Sequence, residues 1–402
     1  MSRSSSPGGA NPFRYGDVAV GSFFVDRADE LRELETDIRS GQNVLLLSPR
    51  RFGKTSLVVE AMRLLREQGV LVAYVDLLRA TTKAELASFL ATALYQGLVS
   101  PVEQTFHRIA EFFGDLPIRP SITLSPNPDG TVTPSIEFGP GTPERTAEAT
   151  LDQLLNLPAE IAAKRQRRVA LVIDEFQSIL ELDAALPRRL RATFQFQAEV
   201  AHVYLGSKQH LLRRVFTDAN APLYNSAKVL LLGTIPTDRF AQFIQDRFAA
   251  TKHAIAPAAV EYLLSVTGGH PHDTQKLAYF VWNLAQASGR PIEIADVELA
   301  LRQVLTTDTA RYTELWESLT PNQRRVLQAV AHQGATEDIR SQRFREAHGL
   351  ASYRSVDYAL DALVERSLIE RLDPQHFSVP DVFLARWLRE GAHWSTDQSS
   401  PS

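Results

Sequence analysis

The chain has 402 residues, room for about two or three domains, and 44% hydrophobic against 22% charged residues supports packed cores and excludes disorder throughout. Lys and Arg number 43 against 47 Asp and Glu, a formal charge of −4, which excludes a strongly basic nucleic-acid binder. Cysteine is absent, so disulfides, thiolate metal sites, Fe–S clusters and cysteine nucleophiles are excluded, and a reducing compartment is expected.

Residues 1–12 are rich in Ser and Gly, lack the apolar core of a signal peptide, and read as a disordered tail. Leu31 to Ile38 has the spacing of an amphipathic helix. Asn43 to Leu47 reads as a buried strand, and Lys54 to Gln68 as a helix closed by Gly69. Val70 to Leu77 is a second strand and Lys83 to Gly97 a helix. The turn Asn127-Pro128-Asp129-Gly130 separates two alternating segments, Ser121 to Leu124 and Thr131 to Phe138. That pattern predicts a hairpin inserted at one edge, about 117–140.

Helix resumes over Pro143 to Lys164, and Val169 to Ile173, His202 to Leu205 and Val229 to Leu232 are three further strands. Short apolar strands alternating with helices predict an α/β domain over 13–236, with a five-stranded parallel sheet covered on both faces. From Thr237 the pattern is helical: Phe240 to Phe248, Ala256 to Thr267, His272 to Ser288 and Ile294 to Thr306. An all-helical domain over 237–316 is expected.

Over 317–390, Thr320 caps a helix opened by Pro321, and two more helices follow, Arg340 to His348 and Tyr353 to Arg366. Leu368 to Leu372 and His376 to Val379 form a small hairpin, completing a winged helix. Residues 391–402 read as a second disordered tail. No run reaches the roughly 18 apolar residues of a membrane span. A soluble, cytoplasmic protein without a membrane partner is expected.

The chemistry concentrates in Ser48-Pro49-Arg50-Arg51-Phe52-Gly53-Lys54-Thr55-Ser56, between a strand and a helix. This is the context of a Walker A loop. Its backbone N–H groups and the helix N-terminus suit phosphates. Gly53 allows close approach, Lys54 reaches the β- and γ-phosphates, and the Thr55 hydroxyl ligates Mg²⁺. Ser48 stands where the pattern has glycine, and serves if its φ is negative. The competing reading is a basic turn that caps a helix.

Val169 to Glu175 is an apolar strand ending in Asp174-Glu175, a Walker B pattern. Asp174 would hold Mg²⁺, and Glu175 would act as general base on the attacking water. By itself such a run also fits a solvated turn.

Phe24-Val25-Asp26-Arg27-Ala28-Asp29-Glu30-Leu31 resembles the box that precedes the loop in AAA-like ATPases. Ser48 to Leu57 is similar to the Walker A of the archaeal-type ATPases, a branch of the STAND NTPases (MNS-like clade) close to AAA+. Leu205-Gly206-Ser207 matches that family's sensor 1, and Gly268-Gly269-His270-Pro271 its Gly-x-Pro lid motif. The resemblance spans Phe13 to Leu388.

It implies ATP or ADP with Mg²⁺, an AAA+/STAND-like P-loop fold with an all-α lid and a winged helix, and slow ATP hydrolysis. Phe24, Val25 and Arg27 would then line the adenine side. Ser207, or Lys208 beside it, would sense the γ-phosphate, and His270 and Pro271 would close over the nucleotide. Two plainer readings stand beside these: Gly268 to Pro271 as a helix–helix turn, and Ser207 as an ordinary strand end. Arg213 and Arg214 are placed as a trans finger or a solvated pair. Arg188, Arg189 and Arg191, and the run Lys164 to Arg168, read as surface.

The implied role is a nucleotide-dependent switch or regulatory ATPase. The alternative is a DNA-associated motor, loader or regulator using the winged helix. Between Ser318 and Glu390 there are ten Arg, no Lys and ten acids. The third helix carries Asp357, Asp361 and Glu365. DNA binding is therefore disfavoured against a protein partner. Homo-oligomers are compatible with the sequence.

Overall fold

The computed structural model describes residues 10–16, 18, 21, 24–25, 27–99, 112–113, 116, 121–126, 132–139, 143–206, 208–333, 335–350 and 352–390. The expected turn Asn127 to Gly130, Ser207, residues 1–9 and the tail from 391 lie outside them. The chain divides into two compact units. One comprises Arg27–Pro49 and Lys54–Gly233; the other comprises Met1–Asp26, Arg50–Gly53 and Thr234–Ser402.

The α/β unit contains α1 (Ala28–Arg39), β1 (Val44–Leu47), α2 (Lys54–Glu67), β2 (Leu71–Asp76), α3 (Lys83–Leu98), the strands β3 (Ser121–Pro126) and β4 (Val132–Glu137), α4 (Glu144–Arg165) and β5 (Val169–Asp174). It continues with α5 (Ser178–Leu182), α6 (Leu186–Phe194), β6 (Val200–Gly206), α7 (Gln209–Phe216) and β7 (Lys228–Leu231). Five strands form one sheet in the order β2-β5-β6-β1-β7, all parallel.

Every residue of β1, β5 and β6 is buried, as expected for apolar strands covered on both faces. α1 packs on β1 and β6, α3 on β2, and α4 on β5. The expected hairpin is the antiparallel pair β3–β4. It is pinned to α3 by Ile136 N–H donating to Thr92 Oγ1 at 3.0 Å and Phe138 N–H to Ser88 Oγ at 2.9 Å.

The helical unit contains α8 (Thr237–Ala250), α9 (Pro257–Thr267), α10 (Pro271–Ser288) and α11 (Ile294–Glu317), then α12 (Pro321–Gln333), α13 (Gln342–Ala347), α14 (Tyr353–Glu365), β8 (Glu370–Arg371), β9 (Phe377–Ser378) and α15 (Val382–Arg389). One hydrophobic cluster runs through it, from Phe240, Leu263 and Val281 to Val326, Leu360, Phe377 and Trp387.

α11 runs well past Thr306, where the sequence reading ended it. Glu293 and Asp296 form a capping box at its start, and no Gly or Pro interrupts it before Pro321. α15 was not anticipated. Asp381 caps it by accepting the Leu384 N–H at 3.0 Å, and Phe383, Leu384, Trp387 and Leu388 bury its inner face. Among the described residues no helix is long and apolar enough to cross a membrane.

Candidate active site

The C-terminal ends of the parallel strands carry the α/β unit's site. β1 ends in Leu47, and the loop after it leads into α2 at Lys54. Ser48 is buried, keeps a negative φ, and its hydroxyl donates to Pro49 O at 2.9 Å. Serine therefore meets the condition set for that position. Gly53 has φ +85°, the left-handed region that glycine enters without penalty. Arg51 has φ +68°, a conformation that costs a non-glycine residue about 1–2 kcal/mol.

Lys54 is buried, with Nζ 3.5 Å from Ser48 O and 3.4 Å from Pro49 O. Thr55 Oγ1 lies 3.4 Å from Asp174 Oδ2. The Tyr74 hydroxyl, on the neighbouring strand β2, donates to the same Asp174 oxygen at 2.6 Å. Burial pushes the Asp174 carboxyl above its ordinary range, and the Glu175 and Asp76 carboxylates push the same way. The bonds from the Tyr74 hydroxyl and the Glu175 N–H oppose them. Burial also raises the Tyr74 phenol, so its proton stays on the oxygen.

Glu175 follows the strand in a left-handed turn, φ +50°. Phe176 N–H anchors that turn to Leu205 O at 2.8 Å, and the buried Phe176 ring packs against Tyr204 and Phe216. Gln177 donates from Nε2 to Glu175 Oε2. Neither Tyr74 nor Gln177 stood out in the sequence. The only signal for them is proximity to Asp174, through strand pairing and through chain position.

Arg27, expected near adenine, is buried. It donates to Gly233 O at 2.7 Å and pairs with Glu30 at 2.9 Å. Lys208 pairs with Glu181 at 3.2 Å. Arg213 and Arg214 are exposed on α7. Arg189 pairs with Glu148 at 3.4 Å, Arg191 donates to Tyr224 O at 3.1 Å, and Arg167 donates to Gly69 O.

The other unit holds Phe24, Val25, Arg50 to Gly53, His270 and Pro271. Val25 is buried in the helical core and Phe24 is half-buried. Gly268 ends α9 in the left-handed region and Pro271 opens α10, so the motif is at least a helix–helix turn. The buried His270 ring stands edge-on to Phe52, centroids 4.3 Å apart. Its Nδ1 lies 3.6 Å from Asp273 Oδ2, and neither atom has a hydrogen-bond partner among the described residues. Burial lowers the His270 pKa. Arg51 reaches Asp381 Oδ2 at 3.5 Å.

Among the described residues no cluster of three or more His, Cys, Asp or Glu could hold a metal ion by itself. Thr55 and Asp174 instead offer a hydroxyl and a carboxylate oxygen, the hard donors that suit Mg²⁺ alongside phosphate oxygens. The arrangement thus combines a phosphate loop, a cation, a hard-metal donor pair and a carboxylate next to them.

The model of an ATPase domain predominantly from Archaea matches residues 24–277, and that of a probable winged helix domain matches 310–390. No curated protein matches the chain. Among solved structures, a Walker-type ATPase of Pyrococcus abyssi is similar at 17% identity and TM-score 0.60, covering 92% of this chain and 97% of that one. The ORC2 protein of Aeropyrum pernix, solved as ADPNP–ADP complexes, is similar at 15% identity and TM-score 0.55, covering 90% and 92%. These likenesses support the same P-loop fold. The chain is an ATPase that belongs to the ATPase domain family predominantly from Archaea, with a winged helix domain at its C-terminal end.

Proposed function

We propose that this ATPase is a nucleotide-dependent switch whose winged helix answers to the phosphate loop and contacts a protein partner. Lys54 supplies the cation for the β- and γ-phosphates, and Gly53 and the loop N–H groups cradle them. Thr55 and Asp174 hold Mg²⁺, which when bound neutralises phosphate charge. Glu175 takes the proton of the attacking water. His270 and Pro271 are the lid residues of this scheme.

The observation that carries the switch reading is the position of Asp381. Its carboxylate caps α15, accepts the Tyr312 hydroxyl at 3.1 Å, and faces Arg311 and Arg51, each at 3.5 Å. A residue of the phosphate loop thereby meets the cap of a winged-helix element. Phosphate competes with Asp381 for Arg51, so nucleotide state reaches the α15 cap. The neutral balance over Ser318 to Glu390 favours a protein partner.

Amide hydrogen exchange at Leu384, whose N–H Asp381 caps, tests the reading. ATP and ADP are expected to give different protection there, and Asp381→Asn to abolish the difference. Identical exchange without nucleotide, with ADP and with ATP contradicts it.

A further inference from the structure

The side chain behind Glu175 has no role in the scheme above, yet its surroundings are specific. Gln177 is only 3% exposed. Its Nε2 donates to Glu175 Oε2, while its Oε1 is buried with no hydrogen-bond partner among the described residues. A buried amide with one end unsatisfied is disfavoured unless the other end does something that matters. Here the satisfied end holds the carboxylate that follows the Walker B aspartate.

The space for this amide is provided by β6. A Cβ on Gly206 would run into Gln177 Oε1 and come within 2.7 Å of Leu212 Cδ1. Gly206 is the last residue of β6, the strand that follows β5 in the sheet. Phe176, between Glu175 and Gln177, is tied to the same strand through Leu205 O. The end of β6 therefore fixes the backbone of the turn and leaves room for the amide that grips Glu175.

We propose that Gln177 is the positioning residue for Glu175, and that position 206 is glycine to leave room for its amide. Gln177 holds one of the two carboxylate oxygens of Glu175 and so fixes the plane of the carboxylate. Without the amide, the carboxylate samples rotamers away from the reacting water. The inference rests on Glu175 as the base, and the test separates the two.

Gln177→Met keeps the length of the side chain and removes the donor. It is expected to lower the single-turnover rate of ATP hydrolysis by about tenfold or more. The Kd for a fluorescent ATP analogue is expected to move by less than about threefold, since the amide acts on the base and not on the nucleotide. In the Glu175→Gln background, Gln177→Met is expected to add nothing. Gly206→Ala is expected to lower both stability and turnover. Gly206→Ala combined with Gln177→Ala should cost less stability than the sum of the two single changes, while turnover stays low. If Gln177→Met fails to fold, Gln177→Leu, which also removes the donor without adding a charge, carries the same expectation.

Wild-type turnover in the folded Gln177 variant overturns the proposal, as does an equal loss in the Glu175→Gln background. If Glu175→Gln itself hydrolyses ATP at the wild-type rate, the base reading fails and the Gln177 role goes with it. An inactive Glu175→Gln beside a fully active Gln177→Met removes the Gln177 role alone.

Discussion

Tyr74 and Asp174 stand on adjacent parallel strands, and the Tyr74 hydroxyl donates to Asp174 Oδ2 at 2.6 Å. This bond opposes the burial that pushes the Asp174 carboxyl up, and so favours its charged form, the form that Mg²⁺ would need in the proposed function.

Tyr74→Phe is therefore expected to raise the Mg²⁺ concentration for half-maximal ATP hydrolysis by about tenfold, in line with losses of residues that support metal ligands. A Mg²⁺ titration of turnover checks this. An unchanged midpoint would mean that Asp174 needs no help from Tyr74.

Lys54→Ala should weaken ATP binding by about 10–100-fold, the equivalent of one charge-assisted hydrogen bond. Titration with a fluorescent ATP analogue measures it. Wild-type affinity in the variant would move the phosphate site away from this loop.

The paired acids Asp174-Glu175 at the end of one strand and the phosphate loop were legible in the sequence because each is contiguous in the chain. The five strands were legible because they are short, apolar and separated by helical spacing. Other features depend on pairing that no local pattern encodes. Tyr74 matters through the register of β2 on β5, and Gln177 through the room left at Gly206. Arg51 and Asp381 lie 330 positions apart in the chain. Arg27 donates to Gly233 O, 206 positions away, a contact that no local pattern encodes.

His202 gives a prediction about acid stability. It is fully buried in β6, stacked on Phe194 at 3.8 Å, with Nδ1 3.2 Å from Asn43 Oδ1 and Nε2 without a hydrogen-bond partner among the described residues. Burial pushes its pKa down from 6.5 to about 3. Between those values the unfolded chain binds a proton that the folded chain does not, so stability falls as pH drops through that window. The slope approaches about 1.4 kcal/mol per pH unit. Urea unfolding at pH 7 and pH 5 should show His202→Gln losing about 2 kcal/mol less than wild type over that step. Equal losses would mean that the imidazole is protonated in the folded state.

The winged helix should bind duplex DNA weakly. On α14, Arg354 is exposed beside exposed Asp361 and Glu365, and Arg340 is taken up by Asp357 at 2.7 Å and Pro374 O at 2.6 Å. Anisotropy titrations of the full chain at physiological salt should give a Kd weaker than about 1 µM. Sub-micromolar binding that falls steeply with salt would favour a DNA-associated ATPase.

The central claim is that Asp174 and Glu175, together with the phosphate loop, form the centre that hydrolyses ATP. Phosphate release from Mg·ATP by the purified full chain, compared with Glu175→Gln at matched nucleotide occupancy, tests it most directly. Wild type is expected to release phosphate, and Glu175→Gln to bind ATP with similar affinity while releasing phosphate about 100-fold more slowly or worse. Equal phosphate release by the two proteins would contradict the claim.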